Sequence, residues 1–240
     1  MKSFSRLLGT VCLSLILSSF VHSVNATVVQ YTDRAAWSSS VGAITGSEDF
    51  NTYTSDTQFR TQTISLNGMT LSASGVSQHH GTLANKIDVA TFEFSGVFAI
   101  DSTPYLLADI ELEESGGSFI PINLRFDFDD PLSAWGADLM SFPTAAIVLV
   151  EIYGSTPASP PLASFPYIPS GSTSEIDFFG FQVTDEVFAD HIIFSIGSAS
   201  GFETFGLDNI DYVSGVPIPG AIWLFSTGLL GLIGVSRRMK

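Results

Sequence analysis

Phe119-Ile120-Pro121-Ile122-Asn123-Leu124-Arg125-Phe126-Asp127-Phe128 alternates apolar and polar residues. Ile120, Ile122, Leu124, Phe126 and Phe128 fall on one side, with Asn123, Arg125 and Asp127 opposite, which is the period of a half-buried strand. Similar short runs flank it. Thr61 to Leu66 ends at Asn67-Gly68, a strong hairpin signal, and Met69 to Ala73 returns. Thr91 to Ile100 and Tyr105 to Leu112 come next. Ser133 to Met140 and Ala146 to Tyr153 read as an adjacent pair, the second so apolar that it is expected to be central. Residues 154–174 contain five prolines and read as a long loop around a short edge strand. Glu175 to Val183, Ala189 to Ile196 and Glu203 to Val213 close the series. At the start, Thr27 to Tyr31 reads as a first or edge strand, and Asp33 as the cap of a brief helix over Arg34 to Val41. About twelve short strands at this spacing predict an all-β chain, a single β-sandwich of the jelly-roll kind.

Both ends of the chain differ from this body. Lys2 and Arg6 precede an apolar run from Leu7 to Val21, and Val24-Asn25-Ala26 supplies small residues for a cut after Ala26. That is the layout of a secretory signal peptide over 1–26. Cys12, the only cysteine, lies inside that run, so the exported part has no thiol chemistry. At the other end, residues 215–240 hold a Pro-x-Pro pair, an uncharged run from Ile218 to Val235, and then Arg237, Arg238 and Lys240. The run is long enough for a transmembrane helix over about 218–236, with its basic end in the cytoplasm. Pro217 and Pro219 keep the approach to the membrane extended. An ordinary tail anchor is one reading of this segment.

The second reading is a resemblance. Val216-Pro217-Ile218-Pro219-Gly220, the apolar span and the Arg-rich end resemble the PEP-CTERM sorting signal, and VPIPG is similar to its VPLPA subtype. The resemblance implies export through the inner membrane of a Gram-negative bacterium that makes extracellular polysaccharide. It also implies transient anchoring, cleavage near the prolines by exosortase, a membrane protease, and a destination at the cell surface or in the matrix. More weakly, Asp33 to Trp37, Phe128 to Leu139, Phe178 to Phe181 and Phe205 to Tyr212 resemble the strands of PEP-CTERM exported domains, which implies a jelly-roll-like, carbohydrate-binding-like domain over 27–214.

Charge narrows the partners. Four basic residues, Arg34, Arg60, Lys86 and Arg125, stand between the two end segments against all 24 acidic ones, leaving the exported body at −20. Such a body repels nucleic acid and anionic membrane surfaces and attracts divalent cations.

The most suggestive constellation is Glu48 and Asp49 near the first core strand with Asp208, Asn209 and Asp211 in the last. Jelly rolls commonly set first and last strands side by side, so these oxygens are candidate ligands for Ca2+. Regular alternation sends Asp208 to one face and Asn209 and Asp211 to the other. Asp127, Asp129 and Asp130 read more simply as a solubilising turn, and His79-His80 as a surface loop. His191 reads as an ordinary edge residue, and Trp37, Tyr53, Trp135 and Tyr167 as core aromatics more than sugar platforms. No nucleophile elbow, His-Glu-x-x-His or phosphate loop occurs. The expectation is a non-catalytic, structural or adhesive protein associated with extracellular polysaccharide. A calcium-dependent carbohydrate-binding module is the alternative, and a glycan hydrolase a third.

Overall fold

A computed structural model describes residues 27–75, 84–89, 100–101, 103–115, 118–141, 147–154, 160–167, 176–184, 187–197 and 201–215. The expected signal peptide with Ala26, the sorting motif Val216 to Gly220, the membrane span, Arg237, Arg238 and Lys240 lie outside them, as do His79-His80 and nearly all of the expected strand Thr91 to Ile100. Among the described residues, no helix is long and apolar enough to cross a membrane.

The elements follow the order β1 (Val28–Tyr31), α1 (Arg34–Val41), β2 (Gly46–Glu48), β3 (Thr57–Gln58), β4 (Ile64–Leu66), β5 (Met69–Ala73), β6 (Lys86–Asp88) and β7 (Tyr105–Ser115). Then come β8 (Ser118–Ile122), β9 (Leu124–Ser141), β10 (Val148–Gly154), β11 (Ala163–Tyr167), β12 (Asp177–Val183), β13 (Ala189–Ile196) and β14 (Gly201–Ser214). All described pairings are antiparallel, and β9 and β14 are long enough to bend the whole into two packed layers. In layer I, β11, β10, β13, the first half of β9, β5 and β4 lie side by side. In layer II, the order is β1, β12, the second half of β9, β14, β7, β6 and β3, with β2 on the far end of β14 and β8 on β7. Among the described pairings, β14 alone joins the β9 side of layer II to the β7 side.

The quoted stretch is two strands rather than one. β8 pairs with β7, but at Asn123 the chain changes partner: the Ser74 N–H donates to Asn123 O at 3.1 Å and the Asn123 N–H to Ser74 Oγ at 2.8 Å. The alternation survives, since Ile122, Leu124, Phe126 and Phe128 are all buried. A second expectation is corrected. Ser133 to Met140 and β10 are not neighbours: the former lies in layer II between β12 and β14, while β13 separates β10 from the first half of β9. β10 is interior as expected, but it buries only one face, and Leu149 points outward.

Between the layers, Trp135 meets Phe126 at 5.8 Å, Phe194 at 6.1 Å and Phe181 at 6.4 Å between ring centroids. Trp135 and Tyr167 are buried in this core and Tyr53 packs against it, while Trp37 is buried in a separate cluster with Ala134 and Phe178. Asn67-Gly68 forms the hairpin turn between β4 and β5, with Gly68 at φ +70°, a conformation glycine adopts freely.

Candidate functional site

α1 begins where Asp33 Oδ1 accepts the Ala36 N–H at 2.7 Å, a side-chain cap on an otherwise orphaned donor. Arg34 and Trp37, one turn apart on α1, both face layer II. Trp37 packs on Phe178 and Ala134, and its Nε1 donates to Phe181 O at 3.1 Å. The Arg34 guanidinium lies 4.9 Å from the centroid of the Phe178 ring. From there it reaches three acceptors: Nε donates to Asp138 Oδ1 at 2.9 Å, Nη1 to Asp211 Oδ2 at 2.6 Å and Nη2 to Asn209 O at 2.6 Å. These groups, with Ser47, Glu48, Asp49 and Ile210, line an open cleft of about 370 Å³ at the joint of β2, β9 and β14.

The structure does bring the first core strand and the last together. β2 pairs with β14, Glu48 opposite Ile210. It also corrects the expected facing of the acidic residues. Asp208 lies opposite Asp138 but Asp211 opposite Gly136, so β14 carries one extra residue against β9, a β-bulge. Asn209 takes up that extra residue at φ 51°, a left-handed conformation asparagine tolerates. Asp208 and Asp211 therefore share the outer face with Asp138, where regular alternation would separate them.

The five expected ligands have different occupations. Both Glu48 oxygens are engaged in shaping turns: Oε1 accepts the Phe50 N–H at 2.8 Å and Oε2 the Asn67 N–H at 3.0 Å. Asp49 is exposed and accepts the Asn51 N–H at 3.2 Å. Asp208 is buried; its Oδ1 accepts the Asn209 N–H at 2.7 Å. Burial pushes the Asp208 carboxyl up to about 7, with Asp101, Asp49 and Asp138 adding to the rise and the Asn209 N–H opposing it. Burial also holds Asp211 above the usual carboxylate range, although Arg34 pulls it down. Among the described residues no set of three or more His, Cys, Asp or Glu side chains is arranged to hold a metal ion. Calcium bridging Asp138 and Asp211 would have to displace the guanidinium that joins them.

Arg34 and Asp138 were not singled out from the sequence. The usable signal is scarcity. With four cations among 24 acids, a cation is expected to find carboxylate partners within the fold. Lys86 obeys the same rule: it is buried, and its Nζ lies 2.7 Å from Asp56 Oδ2 and 3.6 Å from Asp88 Oδ2. Burial draws Asp56 upward, but Lys86 and the Val89 N–H outweigh it and leave Asp56 below the usual range. Arg125 chelates Asp127, both of them on the outer face of layer I. Arg60 Nη1 donates to Gln58 at 2.7 Å. His191 is not at an edge. β13 is interior, and the His191 ring stacks on Tyr153 at 4.6 Å with 7° between planes.

No family model matches the chain, and neither does any curated protein. Four solved chains do. One is a "Carbohydrate binding module family29", with a TM-score of 0.29 and 16% identity, covering 47% of this chain and 82% of that one. An overlap of this size carries no argument. The two-layer architecture stands on its own strand pairings.

Proposed function

We propose that this chain is an exported passenger of a Gram-negative cell, destined for the surface or the extracellular matrix. It crosses the inner membrane, is held there by its C-terminal span, and is cut near Pro217 and Pro219 by an exosortase-type protease. It then serves a structural, adhesive role among extracellular polysaccharide, without catalysis.

The observation that supports this reading most is the antiparallel body that the described residues form between the two predicted signals. β1 starts at Val28, just after the expected cut at Ala26, and β14 ends at Ser214, just before the Val216 motif. All four body cations are engaged within the fold, as described above, so the described surface offers no basic stripe to phosphates or anionic headgroups. In the cleft, the guanidinium pairs with Asp138 and Asp211.

The test is mass spectrometry of the mature C-terminus in cells with and without the processing protease. The expected result is a chain shortened near the proline pair in the first and ending at Lys240 in the second. A terminus at Lys240 in both strains rules out processing.

A further inference from the structure

The two layers treat their outer faces differently. α1 packs over layer II, where Trp37, Ala134 and Phe178 are buried beneath it. On layer I, the strands β10, β13 and β9 run side by side with their outward residues in register and half-buried. Tyr153 lies opposite His191, and His191 opposite Asp127. In the next row Glu151 lies opposite Ile193, and Ile193 opposite Arg125. Arg125 and Asp127 each keep 41% of their side-chain surface exposed.

Two pairs on this face are already fixed in place. The Tyr153 and His191 rings are stacked almost parallel. Arg125 Nε donates to both Asp127 oxygens, at 2.9 and 2.8 Å, which holds the guanidinium and carboxylate planes together. A ligand meeting these groups has little side-chain freedom left to remove.

We infer that the outer face of layer I is a binding site for a neutral polysaccharide strand lying across β10, β13 and β9. This rests on the polysaccharide role proposed above. A sugar ring has apolar C–H faces and a rim of hydroxyls that both donate and accept. It suits a surface where aromatic and aliphatic groups alternate with a few planar polar ones. Tyr153 and Ile193 supply the first kind, and Glu151, Asp127 and Arg125 the second. Neighbouring strands lie about 4.8 Å apart, so the three strands present about 10 Å of such surface, enough for two ring units of an extended chain. Charge selects the polymer. Asp127, Asp190 and Glu151 outnumber Arg125 here, in a body at −20, so an anionic glycan is repelled. A protein partner is disfavoured, because charged residues interrupt the apolar ones where an interface core is depleted of charge.

The experiment is affinity gel electrophoresis of the full-length chain in mild detergent. The probes are soluble xyloglucan, galactomannan and mixed-linkage glucan, with alginate as the anionic counterpart. A neutral polymer is expected to retard the parent. Tyr153→Ala and Arg125→Ala are each expected to weaken that binding about tenfold, while Ser38→Ala on α1 leaves it unchanged. Melting curves check that each variant is folded. If Tyr153→Ala does not fold, Tyr153→Leu and Arg125→Gln carry the same expectation. Retardation that survives at both positions overturns the site and leaves the polysaccharide role standing. Binding to alginate alone overturns the neutral ligand. A parent retarded by no polymer overturns both.

Discussion

Arg34 Nη1 and Asp211 Oδ2 lie 2.6 Å apart although 177 positions separate them in the chain. Through this contact the described helix is tied to the last strand, and the same guanidinium holds β9 through Asp138. The site read from the sequence as a place for a metal ion is bridged by a cation that the chain supplies itself.

Removing that cation leaves two carboxylates facing each other. The Arg34 and Asp211 side chains are 31% and 30% exposed, so the pair lies between a surface and a buried ion pair. Arg34→Ala is expected to cost about 1–3 kcal/mol in urea denaturation, and adding Asp211→Asn to recover part of it. Millimolar calcium is expected to raise the melting temperature of Arg34→Ala and leave the parent unchanged. An Arg34→Ala chain as stable as the parent would show that the bridge contributes nothing.

Trp37 and Trp135 are both fully buried but differ at the indole nitrogen. Trp37 Nε1 donates to Phe181 O, while Trp135 Nε1 finds no acceptor among the described residues. Replacement by Phe removes similar volume at each position. Trp37→Phe is expected to cost about 1 kcal/mol more than Trp135→Phe, because it strands a carbonyl where the other change removes an unmet donor. Equal costs in parallel denaturant titrations would contradict this.

Gly136 lies on β9 beneath the rings that dock the helix. A Cβ there would sit 2.5 Å from Phe178 Cζ and 3.3 Å from Trp37 Cε2. Phe178 cannot retreat freely, since Trp37 and Arg34 both pack on it. Gly136→Ala is expected to destabilise by about 1–3 kcal/mol and to red-shift tryptophan emission as Trp37 loosens. An unshifted spectrum with parental stability would mean the helix does not depend on this close approach.

Two buried acids set the response to pH. Burial pushes Glu203 up to about 8, with Asp109 adding to it, and Asp208 up to about 7. In the unfolded chain they titrate near their ordinary values of 4.5 and 3.8, so across this window the folded state holds protons that the unfolded state has released. Stability therefore declines as pH rises through the window, and the loss is complete above the folded values. Melting temperature is expected to be higher at about pH 5.5 than at about pH 8.5, with Asp208→Asn and Glu203→Gln each flattening the slope. A melting temperature that rises over this range would refute the assignment.

What could be read from the sequence was local. Asp33 capping Arg34 to Val41, the turn at Asn67-Gly68 and the alternation from Ile122 to Phe128 each follow from residues within one turn or strand. What could not be read depends on which strand lies beside which. The extra residue at Asn209 exists only relative to β9, and it reverses the facing of Asp211. The insertion of β13 between β9 and β10 is likewise invisible in either strand alone. Arg34 was visible as a scarce cation, but only the folded sheet shows which two carboxylates it joins.

The position of β14 bears on the order in which the sheet can close. Residues 201–214 form the last described strand in chain order, yet they are the wedge that unites β7, β6, β3 and β8 with β9, β12 and β1. Until they pair, two half-sheets have open edges, so closure of the sheet waits on a late segment of the chain rather than being spread along it. A chain ending before Gly201 would offer unpaired strands to its neighbours and to proteases, and pairing of 201–214 removes those edges.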